Sequence, residues 1–239
     1  MKILIIDQCS ASKDVPRGTE VLSAEAVRAR TVHDGEHPDA VVLPANRLYV
    51  GRQQQMVRRA VEILRDAGDE VTLVYISAGV GVVDESEAIP PYEATFAGLP
   101  KEEVRKLGDS LAITSDLVAL LERPSEGWDL VVFTLGAAYW EAIDTESVVD
   151  AVDRTSPMVG FNIEHIADGV PWMTSLSARL EEARDLGEIV IALKGRYLLR
   201  FARNRRLDGE PGDHTERVQY FSRPADTQAS FAGYDSESS

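Results

Sequence analysis

The sequence predicts a single α/β domain, a mostly parallel β-sheet covered by helices. Three observations predict it. Residues 2–6, 70–77, 129–135 and 188–193 are nearly continuous aliphatic or β-branched runs, and strands apolar on both sides belong to sheets buried on both faces. Between the runs, apolar residues recur at helical spacing, and alternating strands and helices make a parallel sheet. After each run the chain leaves through small residues, where an open parallel sheet presents its ligand-binding loops.

Taken in order, the first strand at 2–6 is followed by the loop Cys9-Ser10-Ala11-Ser12-Lys13. Residues 14–45 carry Pro16, Gly18, Gly35, Pro38 and Pro44 and hold no period. They read as an irregular excursion with a short helix near 23–30, and long excursions in compact domains are usually functional or disordered. Met56, Val57, Ala60, Val61 and Leu64 give a helix over 50–67, stopped by Gly68. The second strand, 70–77, leads to a loop over 78–98 with a double proline. Pro100, with Glu102 and Glu103 in the first turn, opens a helix to residue 123. The third strand, 129–135, runs into a helix from Gly136. A short strand at 158–162, a helix over 175–186, a strand at 188–193 and a helix over 195–206 complete the domain, 1–207. Residues 208–239 read as a polar, partly disordered tail.

Bulk properties narrow the class. A domain near 239 residues buries roughly 70–75% of its unfolded surface and needs no disulfide or metal to fold. Cys9 is the only cysteine, which rules out an internal disulfide framework and suits a reducing, cytoplasmic setting. No run approaches the roughly 20 apolar residues of a membrane span, and the start is too soon charged for a signal peptide. The net charge is −15, and only five of the 25 basic residues are lysines. An acidic, lysine-poor surface is the mark of a salt-adapted, halophilic protein; at molar salt the Debye length is about 3 Å, so such charges barely repel. Acidity then loses most of its force as an argument against nucleic acid. The few lysines left become better candidates for chemistry.

Four segments leave strands through small residues: 9–13, Ser77-Ala78-Gly79-Val80-Gly81, Gly136-Ala137-Ala138-Tyr139 and Lys194-Gly195-Arg196. Glycine after a strand also serves merely to make a turn, but four such loops on one edge point to a shared site with N–H groups facing an anion. None fits a P-loop or dinucleotide fingerprint, so ATP and NAD are unsupported, and no cofactor is expected. Lys13 can neutralise a phosphate or act as a nucleophile, and Lys194 suggests a second anion contact. Cys9 reads as a packing residue. His33, His37, His165 and His214 have no metal spacing, so no metal is expected. Pro90-Pro91 stiffen the approach to Tyr92 and Glu93.

Cys9-Ser10-Ala11-Ser12-Lys13, Leu48-Tyr49-Val50-Gly51, Ile76-Ser77-Ala78-Gly79-Val80-Gly81-Val82-Val83 and Ile89-Pro90-Pro91-Tyr92-Glu93 occur in that order. Together they resemble the YaaA-like superfamily with a Cys-Ser-x-x-Lys start, which includes the archaeosine synthase core domain. The match covers roughly residues 1–140. The chain departs from the archaeosine synthase pattern directly after Lys13, where it has Asp14-Val15 instead of Pro-Tyr. The resemblance implies a fold related to DNA glycosylases and a theme of nucleobase, nucleotide or nucleic-acid handling. On these grounds the chain is expected to be a nucleobase- or nucleotide-processing enzyme linked to nucleic-acid modification. Lys13 and Glu93 would be catalytic, with Cys9, Ser10, Tyr49, Gly51, Ser77, Gly79, Gly81, Tyr92, Gly136, Lys194 and Gly195 binding substrate. Tyr49 and Tyr92 would stack or hydrogen-bond. The alternatives are a non-catalytic DNA- or RNA-binding stress protein and a nucleotide-sensing domain.

Overall fold

The computed structural model describes residues 1–32, 41–124, 126–152 and 156–224. Its centre is a six-stranded sheet whose strands, in chain order, are β1 (Lys2–Gln8), β2 (Glu70–Ser77), β3 (Gly81–Asp84), β4 (Leu130–Phe133), β5 (Met158–Phe161) and β6 (Met173–Leu176). In space the order is β6-β5-β4-β1-β2-β3. All neighbours are parallel except the β2–β3 pair at one edge. β1 is central because both of its faces are apolar: Ile3, Leu4, Ile5 and Ile6 have no exposed surface, and such a strand needs cover on both sides.

The chain goes from β1 to β2 on one side, then returns to place β4 on the other side of β1. With right-handed crossovers these two excursions lie on opposite faces of the sheet. The first crossover contains α1 (Ala24–Val32) and α2 (Arg52–Asp66); the second contains α3 (Lys101–Ser110) and α4 (Ile113–Leu121). α4 packs on α5 (Thr145–Ala151), while α2 packs along α7 (Leu193–Asp208), with α6 (Leu180–Asp185) before it and α8 (His214–Ser222) after it. The gap between the carboxyl ends of β1 and β4 is therefore a topological switch point, where open α/β sheets bind ligands. Among the described residues, no helix is long and apolar enough to cross a membrane.

Three of the four expected long strands share this sheet; residues 188–193 do not. Val190–Ala192 form a 3-10 turn that runs into α7, and Ile189, Val190 and Ile191 stay exposed. Lys194 and Gly195 thus sit in the first turn of a helix and follow no strand. The expected helix over 175–186 is also split. Met173–Leu176 is an edge strand, half-exposed and partly polar, so it lacks the apolar run that betrays a buried strand. The expected loop over 78–98 folds back as β3, and its prolines lead into Tyr92–Glu93, a short strand paired with Leu22–Ser23. The helix expected over 100–123 breaks at Ala112, which is left-handed at φ 55°. Beyond residue 208, the segment expected to be a tail contains α8, whose Tyr220 and Phe221 are buried. His33 and His37 lie outside the described residues.

Where α3 passes the 137–143 segment, Gly108 leaves no room for a side chain: a Cβ there would meet the Ala142 carbonyl oxygen at 2.1 Å. Alanine has the better helix propensity by about 1 kcal/mol, yet backbone cannot yield as a side chain does. Gly108→Ala is expected to destabilise the fold by about 1–3 kcal/mol, the usual range for overpacking. A urea titration reads this as a lower midpoint at unchanged slope; a raised midpoint would refute the contact.

Candidate functional site at the β1 switch point

β1 ends in Asp7 and Gln8, and the strand's pairing continues one step further as the Cys9 amide donates to the Ile76 carbonyl at 2.9 Å. The chain then turns. Residues 12–14 lie antiparallel to residues 48–50, with a bridge between Lys13 and Tyr49 and the Val50 amide donating to the Ser12 carbonyl. Gly51 lets this happen: a Cβ there would lie 2.4 Å from Ser10 Oγ and 2.5 Å from Gln54 Oε1. The loop holding Lys13 is thereby pinned against the start of α2.

Lys13 sits in an unusual environment for an amine. Its Nζ donates to the Ser10 carbonyl at 2.9 Å and lies 4.4 Å from the centroid of the Tyr92 ring. Tyr92, 1% exposed, hydrogen-bonds to Ser77 Oγ at 2.5 Å and to the hydroxyl of the fully buried Tyr49 at 2.7 Å. Gly79 makes room for that ring, since a Cβ would meet Tyr92 at 2.7 Å. Burial pushes the Lys13 amine below the usual lysine range, against the opposing pull of Cys9 and Glu93. Burial also pushes the Tyr49, Tyr92 and Tyr139 hydroxyls well above theirs, so all three stay protonated. A partly dehydrated amine at the mouth of a wall of neutral phenols is suited to nucleophilic or acid–base work.

A second cluster adjoins the first. Asp7 has no exposed surface. Its carboxylate accepts from Gln53 Nε2 at 2.6 Å, Thr134 Oγ1 at 2.7 Å and Gln54 Nε2 at 3.2 Å. Burial raises its pKa from 3.8 to about 6, and the three side-chain hydrogen bonds pull the other way. Lys194, 8% exposed, feels the charge of Asp7, while burial lowers its pKa. Gln53 Oε1 is buried without a partner. Tyr139 joins the halves: its hydroxyl lies 3.0 Å from Cys9 Sγ and within the field of Asp7.

The structure brings together Cys9, Ser10, Lys13, Tyr49, Ser77, Gly79 and Tyr92, with Glu93 exposed at the rim. Several expected roles change. Tyr49 and Tyr92 are too buried to stack on a base; they support Lys13 from beneath. The Gly79 N–H is taken by Ser77 Oγ and the Gly136 N–H by Gln8 Oε1, so neither is free for an anion. Gly81 opens the β2–β3 hairpin at φ 81°, where a Cβ would strike the Leu111 carbonyl. Gly195 lets α7 touch α2, a Cβ there falling 2.8 Å from the Gln53 carbonyl oxygen; both are packing glycines. Asp7, Gln53, Gln54 and Thr134 were not expected, and Tyr139 only as the end of the 136–139 loop. For Gln53 and Gln54 the sequence offers only a faint sign, two amides on the inward face of α2; nothing local marks the carboxylate they meet. No family model matches this chain, and no curated protein matches it.

The raised pKa of Asp7 sets a pH dependence. Between pH 3.8 and about 6 the folded chain holds a proton that the unfolded chain has lost, so this group's contribution to stability falls as pH rises through that window. The full effect is about 3 kcal/mol. Asp7→Asn is expected to flatten that part of the curve, making the stability difference between variant and wild type shift in the variant's favour from pH 4 to pH 7. Chemical denaturation at both pH values measures it; a constant difference would mean that Asp7 is ionised throughout.

Proposed function

We propose that this chain is a nucleobase- or nucleotide-processing enzyme linked to nucleic-acid modification, acting at the carboxyl edge of the sheet, above the end of β1. The observation that carries the proposal is the Lys13 amine, held by the Ser10 carbonyl and the Tyr92 ring and lowered in pKa by burial. The resemblance to YaaA-like proteins over residues 1–140 supports it, because its four motifs supply Ser10, Lys13, Tyr49, Gly51, Ser77, Gly79 and Tyr92. The same resemblance underlies the proposed relation to DNA-glycosylase-like folds.

In this reading, substrate enters above Lys13. The neutral amine accepts a proton from the reacting group as a general base. Glu93, exposed at the rim, favours the protonated amine by its charge and can carry the proton to solvent. Lys194 and Asp7 form the floor on the β4 side. Lys194 has no hydrogen-bond partner among the described residues, so its charge is available to a phosphate or a base carbonyl. Cys9 packs against Tyr139 and has no chemical step.

Nucleosides from total RNA and DNA, compared by mass spectrometry between cells lacking the protein and cells rescued with it, should differ in at least one modified nucleoside. Lys13→Met should fail to rescue and should slow turnover by about 100-fold or more. Cys9→Ala should rescue fully, at a cost of about 1 kcal/mol in stability. Rate should rise with pH and reach its plateau below the 10.5 of an ordinary lysine. Identical nucleosides in every strain, with nucleic-acid or nucleotide binding but no turnover, would replace the enzyme with a binding protein or a sensor.

A further inference from the structure

The chain is acidic overall, yet one face of the α2–α7 pair carries arginines in a row. Arg196, Arg200, Arg203 and Arg206 follow one another at helical spacing on α7, so they share a face. Arg59 of α2 joins them. Arg203 feels the charges of Arg196, Arg59 and Arg206, and Arg200 feels that of Arg196. Both are held below the usual arginine range by burial first and by these neighbours second. Such crowding is costly unless an anion answers it.

Little among the described residues does so. Arg59 pairs with Glu62 at 2.8 Å, and Arg200 donates to the Ser222 carbonyl at 3.1 Å. Arg196, Arg203 and Arg206 have no hydrogen bond or ion pair among the described residues, and Arg196 Nε is buried without a partner. Elsewhere on the same helices the pattern is different: Arg52 is paired with Glu188 and Arg205 with Asp69. On these two helices the row is therefore the exception, within a chain that is acidic overall.

Its position relates it to the site. Gly195 touches Gln53 and Met56, Arg203 lies near Arg59, and Arg205 reaches Asp69, so α2 and α7 run side by side in the same direction. Because α2 follows β1, both helices begin at the carboxyl edge of the sheet. Lys194, on the floor of the site, is two residues before Arg196. From Arg196 to Arg206 the helix rises about 15 Å, a continuous positive strip that starts at the site and leads away from it.

We propose that this strip is a track for the phosphate backbone of a single-stranded nucleic acid whose reacting base occupies the site above Lys13. Arginine suits such a track because its planar fork meets phosphate oxygens in pairs and keeps its charge. A free nucleotide would need only Lys13 or Lys194, whereas four arginines beyond the site serve a polymer. The proposal rests on the nucleobase-processing reading and makes it specific to polynucleotide substrates.

The test uses the full chain and a labelled single-stranded RNA of about a dozen nucleotides, its affinity followed by anisotropy over a range of KCl. The triple variant Arg196→Gln, Arg200→Gln, Arg203→Gln should bind at least about tenfold more weakly and lose about 2 from the slope of log affinity against log salt, at about 0.7 per phosphate contact. The single variant Arg203→Gln, at a half-exposed position, should lose about 0.7 and serves if the triple does not fold. The triple Arg→Lys variant should keep the slope. Unchanged RNA binding in the Gln variants would overturn the track, and so would self-association of the wild type that the same variants abolish. Nucleoside turnover dependent on Lys13 that persists in those variants would leave the enzyme reading standing without the track. Arginine-dependent RNA binding with no turnover would do the reverse.

Discussion

The structure depends on a buried carboxylate. Asp7 ends a strand with no exposed surface at its centre, and it carries its charge to the one place where three elements meet. Gln53 and Gln54 bring the start of α2 to it, Thr134 brings the end of β4, and α7 presses on Gln53 through Gly195. A charge in such a place costs several kcal/mol unless it is answered, and three side-chain hydrogen bonds answer it. Its hydrogen bonds cannot be kept if α2 slides or β4 shifts register. The same group that is costly to bury therefore fixes the geometry of the switch point.

Lys13 is placed by a separate device built on the same frame. The chain after β1 would be an unsupported loop, but residues 12–14 pair with residues 48–50, and Gly51 closes the approach. Beneath it, Ser77, Tyr92 and Tyr49 form a hydrogen-bonded line whose hydroxyls stay protonated. Polar side chains that are both buried and satisfied are rigid, and here they hold an aromatic face under an amine. Lys13 thus keeps its position while losing part of its hydration, which is the combination a reactive amine needs.

The sequence showed this frame unevenly, for physical reasons. β1, β2 and β4 were legible because burial on both faces demands unbroken apolar runs. Ile189-Val190-Ile191 has the same composition but lies exposed on a 3-10 turn, where no sheet neighbour selects for it; local composition alone cannot tell these cases apart. Met173–Leu176 was hidden for the opposite reason, since an edge strand tolerates Thr174 and Ser175. In the site, Lys13, Ser77 and Tyr92 were legible through ordered motifs. Gln53 and Gln54 were not, because each is a helix residue whose meaning comes only from the carboxylate 46 or 47 positions earlier.

Glycines show most clearly how position outranks type. Gly51 and Gly79 do belong to the site, though by removing bulk: one admits Ser10, the other the Tyr92 ring. Gly195 belongs to it at one remove. Its missing side chain lets α7 press on Gln53, and Gln53 in turn holds Asp7. Drawing α7 that close has two consequences of opposite character. It buries the Lys194 amine beside Asp7, and it lays the arginine face of α7 alongside Arg59 of α2. Both concentrations of positive charge follow from one helix–helix contact, which is why the floor of the site and the strip leading from it are parts of the same construction.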